Sequence, residues 1–497
     1  MSPTTGKTVV ARRSIGGHLL PALAVLATAT LAPRAASASG FASARFGSDY
    51  GNPVGDNAFS IYYNPAAIAA AKGTQLSLDG LFVYRRARYD RTELTPSSSF
   101  AGADQTSQVY QDYRRSNTGQ AKLDNLLVSP FAGLTTDFGS PDLPIRAGIA
   151  VYVPFGGQSS WGRNSDFNGS TAPGGNDGQQ RWFNISGKIT SIYVTPAIAL
   201  TIPGTGLSVG LNGSYVHNSV QTVRARNADG SDDTASSDGR LAEGRSLVDV
   251  SGSTFAGAIG LYYQSPDAKL RVGASYTARP GFGQQRLKGT LKVQLRDQPA
   301  DSETPIDFLQ TYPDVLRLGF GYRVSPKVDL RADINYVTWS VFKRQCLVNT
   351  KPGITGSDEC KLYDNGGALP ETNGRVVQSV ARNWRDAYGL RVSGTYFISD
   401  QTDVFGSLGY DTSAVSAENL DPGLMDAFKL IGSIGIRQQI GSRFRLAAAY
   451  NHVYFFDVDS TGKNKFAALK APSAQPSAAG KYSQQYMMLN VNGTVFF

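Results

Sequence analysis

The chain of 497 residues holds 54 Gly, 24 Tyr and 24 Phe and carries a formal net charge of +9. A mean hydropathy of −0.23 excludes a bundle of membrane helices, and the longest apolar run, Leu19 to Ala32, is too short to cross a bilayer as a helix. The charge is no nucleic-acid signal: Lys7, Arg12, Arg13 and Arg34 stand apart near the start, and the later cations are interspersed with Asp and Glu rather than gathered with aromatics.

Residues 1–38 read as a secretory signal peptide. Lys7, Arg12 and Arg13 precede the apolar run and Ala36-Ser37-Ala38 follows it, the order of a basic region, an apolar region and an A-x-A cleavage site. Cleavage after Ala38 leaves a mature chain starting Ser39-Gly40-Phe41, with a net charge of +5 once the four leading cations are gone. The Arg12-Arg13 pair raises a twin-arginine route, but its neighbours match that signal poorly, and the Sec route is expected.

Residues 39–73 form a segment of their own. In Ser60-Ile-Tyr-Tyr-Asn-Pro-Ala-Ala-Ile-Ala-Ala-Ala-Lys-Gly73 a short helix is predicted. Asn64 is a good N-cap because its side-chain oxygen can accept from a first-turn amide, Pro65 suits the next position, and Gly73 supplies a stop.

From residue 74 to 497 apolar and polar residues alternate with the period of strands. Val328, Leu330, Ala332, Ile334 and Tyr336 share one face, and Asp329, Arg331, Asp333 and Asn335 the other. Leu316, Leu318, Phe320 and Tyr322 oppose Arg317, Gly319, Gly321 and Arg323 in the same way. A soluble sandwich would also alternate. Charges of both signs on the polar faces suit a wet lumen instead, and tyrosines at strand ends suit an aromatic girdle. The expected fold is therefore an all-β, antiparallel transmembrane β-barrel in the outer membrane of a Gram-negative bacterium.

Fifteen segments alternate, near 74–88, 126–138, 144–154, 181–202, 206–226, 246–264, 268–279, 284–297, 314–323, 327–342, 384–398, 401–411, 427–439, 442–457 and 483–497. Bacterial single-chain barrels have even strand numbers. The weakest break is Pro280-Gly281-Phe282-Gly283, so 268–297 is read as one bent strand and fourteen are predicted. Polar inserts at about 90–124, 155–180, 227–245, 345–382 and 458–481 are then extracellular loops, and short connections such as Pro203-Gly204-Thr205 are periplasmic turns.

The third strand ends Ala150-Val-Tyr-Val-Pro154-Phe155-Gly156-Gly157. Proline in a strand removes a ladder hydrogen bond, so the wall is expected to be interrupted there with Phe155 bordering an apolar path; the alternative is that these residues only begin the next loop. Cys346 and Cys360 fall in one polar insert of an exported chain, where a disulfide is the default. The last strand alternates Leu489, Val491, Val495 and Phe497 with Asn490, Asn492 and Thr494. A final strand closing on Phe497 resembles the signal by which the barrel-assembly machinery recognises outer-membrane proteins.

Gly40-Phe41, Tyr63-Asn64-Pro65-Ala66-Ala67, Tyr312-Pro-Asp-Val-Leu-Arg-Leu-Gly-Phe-Gly-Tyr322, Asp333-Ile-Asn-Tyr-Val-Thr-Trp-Ser340 and Asn383-Trp-Arg-Asp-Ala-Tyr388 occur in that order. Together they resemble the FadL family of outer-membrane transporters for long-chain fatty acids and related hydrophobic compounds. The resemblance implies a small N-terminal hatch inside a fourteen-stranded barrel, seated on the wall by the Asn-Pro-Ala segment. It also implies a kinked third strand that opens sideways to release cargo into the membrane. The implied partners are hydrophobic small molecules and the surrounding outer-membrane lipid and lipopolysaccharide, with no nucleic acid and no cofactor.

An enzyme is the less supported class. The mature chain has only His217 and His452, on different strands, for a Ser–His or Asp–His site. Ser214 and Ser219 lie near His217 in sequence, but no metal spacing, phosphate loop or nucleotide fingerprint accompanies them. A water-filled general porin or structural barrel is a third class, and it would not need the segment from Ser39 to Gly73.

Overall fold

The computed structural model describes residues 45–497 apart from 228, 237–239, 295–301, 358–359 and 361–373. The expected signal peptide, Gly40 and Phe41 lie outside the described residues.

Fourteen strands, counted among the described residues, form one closed antiparallel barrel. They are β1 (Gln75–Arg91), β2 (Gly119–Thr136), β3 (Ile145–Ser160), β4 (Ser186–Thr201), β5 (Leu207–Arg226) and β6 (Gly244–Gln264). Four two-part strands follow: β7 (Leu270–Thr277 and Gln285–Gln294), β8 (Ser302–Gln310 and Val315–Ser325), β9 (Val328–Val337 and Arg344–Asn349) and β10 (Val376–Ala381 and Ala387–Phe397). The circuit ends with β11 (Thr402–Asp411), β12 (Lys429–Ile440), β13 (Phe444–Phe455) and β14 (Gly480–Phe496). Each strand pairs with its sequence neighbour, and β14 closes on β1 from Gln75↔Phe496 to Arg91↔Gly480. The return of β14 onto β1 closes the circuit, which a bilayer favours because an unpaired backbone group in hydrocarbon costs several kcal/mol.

The wall is inside out relative to a soluble protein. On β9, Leu330 and Ile334 are each 47% exposed while Asp329, Arg331 and Asp333 are 4–5% exposed. The same inversion runs round the barrel through Leu318, Phe320, Leu390, Val392, Ile434, Ile436, Leu446 and Leu489. Exposed aromatics edge this band, with Tyr276, Tyr388 and Tyr454 towards one rim and Tyr322, Tyr396 and Phe444 towards the other.

The expected merger of 268–297 holds. The first half of β7 pairs with Ala258–Gln264 of β6 and its second half with Arg245–Ser251, on either side of Pro280–Phe282. Three further strands break in the same way, which the sequence reading did not anticipate. Their upper parts, 302–310, 344–349 and 376–381, fall in stretches read as loop or left unassigned. In these upper halves apolar side chains turn inward: Leu287, Leu291, Val293, Ile306, Phe308 and Leu347 pack as one cluster, while Arg286, Lys288 and Lys292 point out. The breaks mark where the outer face stops meeting lipid.

The long connections also differ from bare loops. Residues 92–118 contain two helices, α2 (Ser98–Ala101) and α3 (Gln108–Asn117), each capped by a serine, Ser97 and Ser107. Cys346 is part of β9 and is bonded to Cys360, with Cα atoms 6.1 Å apart.

Residues 45–72 lie within the circuit of strands. Asp49 accepts from Ser407 of β11 (2.8 Å) and Ser433 of β12 (2.7 Å). Arg391 of β10 donates to the Gly51 carbonyl at 2.8 Å, and Asn212 of β5 to that of Ile61 at 2.8 Å. Phe46 packs on Phe131 of β2 and Tyr152 of β3. Contacts with strands on every side place the segment inside.

Candidate functional site

The predicted helix of this segment is real but different in detail. Ser60–Tyr63 makes one α-turn, α1, and Pro65–Ala70 continues as a 3₁₀ turn whose N-cap is Asn64, with Oδ1 accepting from the Ala66 amide at 3.1 Å. It ends at Ala71 rather than at Gly73, which instead takes φ +64 as the chain turns into β1. The other end of the Asn64 amide donates to the carbonyls of Pro53 (2.9 Å) and Leu261 of β6 (3.0 Å). One buried side chain thus caps the turn, folds the segment on itself and fastens it to the wall.

The wall meets it with glycines. A Cβ on Gly260 would stand 1.9 Å from Asn64 Oδ1, and one on Gly210 2.3 Å from the Ala66 nitrogen. A Cβ on Gly273 would stand 2.2 Å from the Pro53 carbonyl oxygen, and one on Gly319 2.9 Å from the Pro53 side chain. These residues of β5 to β8 form a groove with no room for any side chain. Of these, the sequence reading placed Gly319 on a polar strand face and gave it no role.

Directly beside the segment, β3 departs from β2. Their pairing runs from Thr136↔Ala147 to Phe131↔Tyr152 and stops. Strand β2 continues to pair with β1 down to Gly119, while β3 shifts register between Tyr152 and Phe155 and then pairs with β4 alone. Pro154 sits in the shifted stretch, and Phe155–Ser160 remain strand rather than beginning the loop. Pro130 of β2, which the sequence reading passed over, precedes the last paired residue Phe131 and has no amide to offer. The signal was available as a proline inside an alternating run.

The gap has two ends. The Phe131↔Tyr152 pair closes it below, and the Gly162 amide bonded to the Lys122 carbonyl at 2.9 Å closes it above. Between them the strands touch through side chains: Asn125 Nδ2 donates to the Gln158 carbonyl (2.9 Å) and Ser129 Oγ to that of Val153 (3.4 Å). At about 3.3 Å per residue the unpaired edge of β2 is roughly 25 Å long.

Two cavities face this edge from inside. The upper, of about 140 Å³, is reached by Gly157, Gln158 and Ser159 of β3 and has an apolar wall that includes Val220, Val248, Phe308, Leu347 and Met425. Its polar lining is cationic: Arg85, Lys188, Arg224 and Arg382, with no carboxylate. Among the described residues only Arg382 of these four has an acidic partner, Asp421; Arg85 and Arg224 donate to Gln484 and Gln475, both at 3.3 Å. The lower cavity, of about 150 Å³, lies between the N-terminal segment and the upper one, with Tyr62, Tyr63, Phe155 and Trp339 on its walls and Tyr486 shared between the two. Phe155 is 7% exposed and its ring lies 5.1 Å from that of Tyr312.

The sequence model of the family described as outer membrane protein transport protein (OMPP1/FadL/TodX) matches residues 22–495. The chain belongs to that family. It is an outer-membrane barrel of a Gram-negative bacterium. A FadL homologue of Pseudomonas aeruginosa superposes with a TM-score of 0.69 at 16% identity, over 93% of this chain and 98% of that one. The toluene transporter TbuX of Ralstonia pickettii gives 0.57 at 14% identity over 90% and 95%, and the toluene transporter TodX of Pseudomonas putida 0.55 at 13% over 92% and 95%. At such identities the likeness is one of fold. An outer membrane protein of Neisseria meningitidis serogroup B is 24% identical over 200 residues, a match spanning 40% of this chain and 39% of that relative.

The structure gathers Asn64, Pro65 and Ala66 at the glycine groove and Pro154 to Gly157 at the gap, and Phe46 and Tyr152 connect the two places. It does not bring the histidines to a cleft. His217 and His452 are on the outer face, where their Nδ1 atoms meet Ser253 Oγ (3.0 Å) and Tyr450 OH (3.1 Å), so Ser214 and Ser219 are not the partners of His217. Members of this family are transport channels.

Proposed function

We propose that this protein carries amphipathic hydrophobic molecules with an anionic head, of which long-chain fatty acids are the type, and releases them sideways into the outer membrane. The observation that carries the proposal is the lapse of β2–β3 pairing above Tyr152 beside cavities lined by Phe155 and Gly157. Short turns mark the periplasmic rim of such barrels, so the basic upper cavity is on the extracellular side. A carboxylate there meets Arg85, Lys188 and Arg224 without a competing acid, and the tail meets the apolar wall. TbuX and TodX are toluene transporters, and toluene has no charge to satisfy those cations.

Sideways exit has an energetic reason. Each CH₂ drawn from an apolar wall into water costs about 0.8 kcal/mol, so a long tail leaving through a wet periplasmic mouth forfeits more than its head gains. Passage through the gap moves the tail from one apolar surface to another. Residues 39–73 then act as a hatch that denies the aqueous route. The surrounding lipid and lipopolysaccharide receive the cargo, and Phe497 ends the strand offered to the assembly machinery.

The test is to close the gap. Cysteines replacing Asn125 and Gln158, bridged by a short bis-alkylating linker, should stop uptake of a radiolabelled fatty acid while leaving its binding to the purified protein within about twofold. Full uptake by the bridged barrel would remove lateral release, and binding unchanged in Arg85→Gln and Arg224→Gln would remove the anionic head.

A further inference from the structure

A third cavity, of about 420 Å³, opens at the short-turn rim, on the far side of the N-terminal segment from the two already described. It is bordered by the turn at Pro326-Lys327 between β8 and β9 and the turn at Ile398–Gln401 between β10 and β11. Four cations line it, Arg323, Lys327, Arg437 and Arg445, against two acids, Asp400 and Asp403. One acid is already taken: Asp403 Oδ2 accepts from Arg437 Nε at 2.8 Å and its Oδ1 accepts from Tyr50. Among the described residues no carboxylate lies within ion-pair distance of Arg323, Lys327 or Arg445. Arg445 Nε donates to Gln439 at 2.9 Å and its guanidinium lies 4.7 Å from the Phe496 ring centre. The Arg323 guanidinium sits 3.8 Å from the centre of the Phe397 ring.

A guanidinium held over an aromatic ring gains that contact without using up its N–H donors, and planar forked donors suit the paired oxygens of carboxylate and phosphate. We infer that the periplasmic mouth holds an oxyanion site formed by Arg323, Arg445 and Lys327, for a ligand carrying more than one carboxylate or phosphate. Arg437 does not belong to it, because Asp403 and the Tyr50 ring, 3.8 Å away, already occupy that guanidinium. Phe397 and Ile398 on the same wall give the body of such a ligand an apolar contact. The site is separate from the transport path, since the N-terminal segment stands between them, and it is reached from the periplasm alone.

The experiment is calorimetric titration of the full chain in detergent with pyrophosphate, citrate and a hexaglutamate peptide. Saturable binding of at least one probe is expected, weakened tenfold or more by Arg323→Gln or Arg445→Gln and unchanged by Lys188→Gln in the upper cavity. A peptide that outcompetes the free anions assigns the oxyanion to a periplasmic polypeptide, and the reverse to a metabolite; either supports the site. Heat-modifiable mobility in gels reports whether each variant has assembled. If Arg445→Gln does not assemble, Lys327→Gln, in an exposed turn, should still weaken binding threefold or more. Absence of saturable binding by all three probes, or binding that these variants leave unchanged, overturns the inference.

Discussion

Asn64 shows how much one buried amide can settle. It makes all three of its contacts through opposite ends of the same group, and each depends on a glycine in the wall allowing the approach. Leaving a buried polar group unpaired costs about 1–3 kcal/mol, so losing this side chain leaves the carbonyls of Pro53 and Leu261 and the Ala66 amide to find other partners. The sharper test is on the wall. Gly260→Ala adds one methyl at a point 1.9 Å from Asn64 Oδ1, changes no charge and lies on a strand that tolerates alanine. The segment is expected to be displaced while the barrel assembles, read as faster proteolysis within residues 45–72 with the heat-modifiable band intact. Unaltered protection would mean that the glycine groove is not what holds the segment.

At the level of elements, the legible parts of the chain were those with two unlike faces. Lipid on one side and a wet lumen on the other imposes strict alternation, which is why the segments read near 314–323 and 327–342 begin within a residue of the strands at 315–325 and 328–337, though the second runs five residues too far. The upper halves of β8, β9 and β10 escaped for the opposite reason. Ile306, Asp307, Phe308, Leu309 and Gln310 are all buried, so no contrast between faces remains to be read. Tertiary contact, not local pattern, makes these strands. The same holds for the connections above them. Arg181, fully buried, donates to Glu243 at 2.9 Å and to Asn117 Oδ1 at 2.9 Å, joining the loops that follow β1, β3 and β5. Arg91 meets Asp232 at 2.6 Å, and Tyr113 of α3 donates to the same carboxylate at 2.7 Å. Burial pushes the Glu243 carboxyl up, but Arg181 and Arg245 outweigh it and hold its pKa below the ordinary 4.5. A folded-state pKa lower than the unfolded one gives stability that is complete above the unfolded value and is lost as pH falls through the folded one. Protection factors in residues 161–185, meaning exchange corrected for its intrinsic pH dependence, should therefore be level above the ordinary carboxylate range and fall only as the pH drops below it. Arg181→Gln should lower them already at neutral pH. A crown equally protected above and below that range would show that the pair does not hold it.

For the whole molecule, the wall and the N-terminal segment are different kinds of structure. The wall closes by its own ladder, which lapses where β2 and β3 part beyond Phe131↔Tyr152, and no part of the ladder passes through residues 45–72. The segment instead hangs on side chains, among them Asp49 on Ser407 and Ser433, Tyr50 on Asp403, and Arg391 and Asn212 on its carbonyls. Such a part can be removed without unmaking the barrel. Its removal would bare Asp333, Arg391, Asp403 and Arg437, groups that water solvates well, and would join the lower cavity to the periplasmic mouth. Deleting residues 40–71 should thus give a protein that still shows the heat-modifiable shift of an assembled barrel, but whose single-channel conductance in a planar bilayer rises at least tenfold over that of the full chain. Outer membranes carrying the deletion should also admit large hydrophilic antibiotics. A deletion that assembles and conducts no more than the full chain would mean that the lumen is sealed elsewhere, by the crown or by the wall itself, and the hatch would have to be given up.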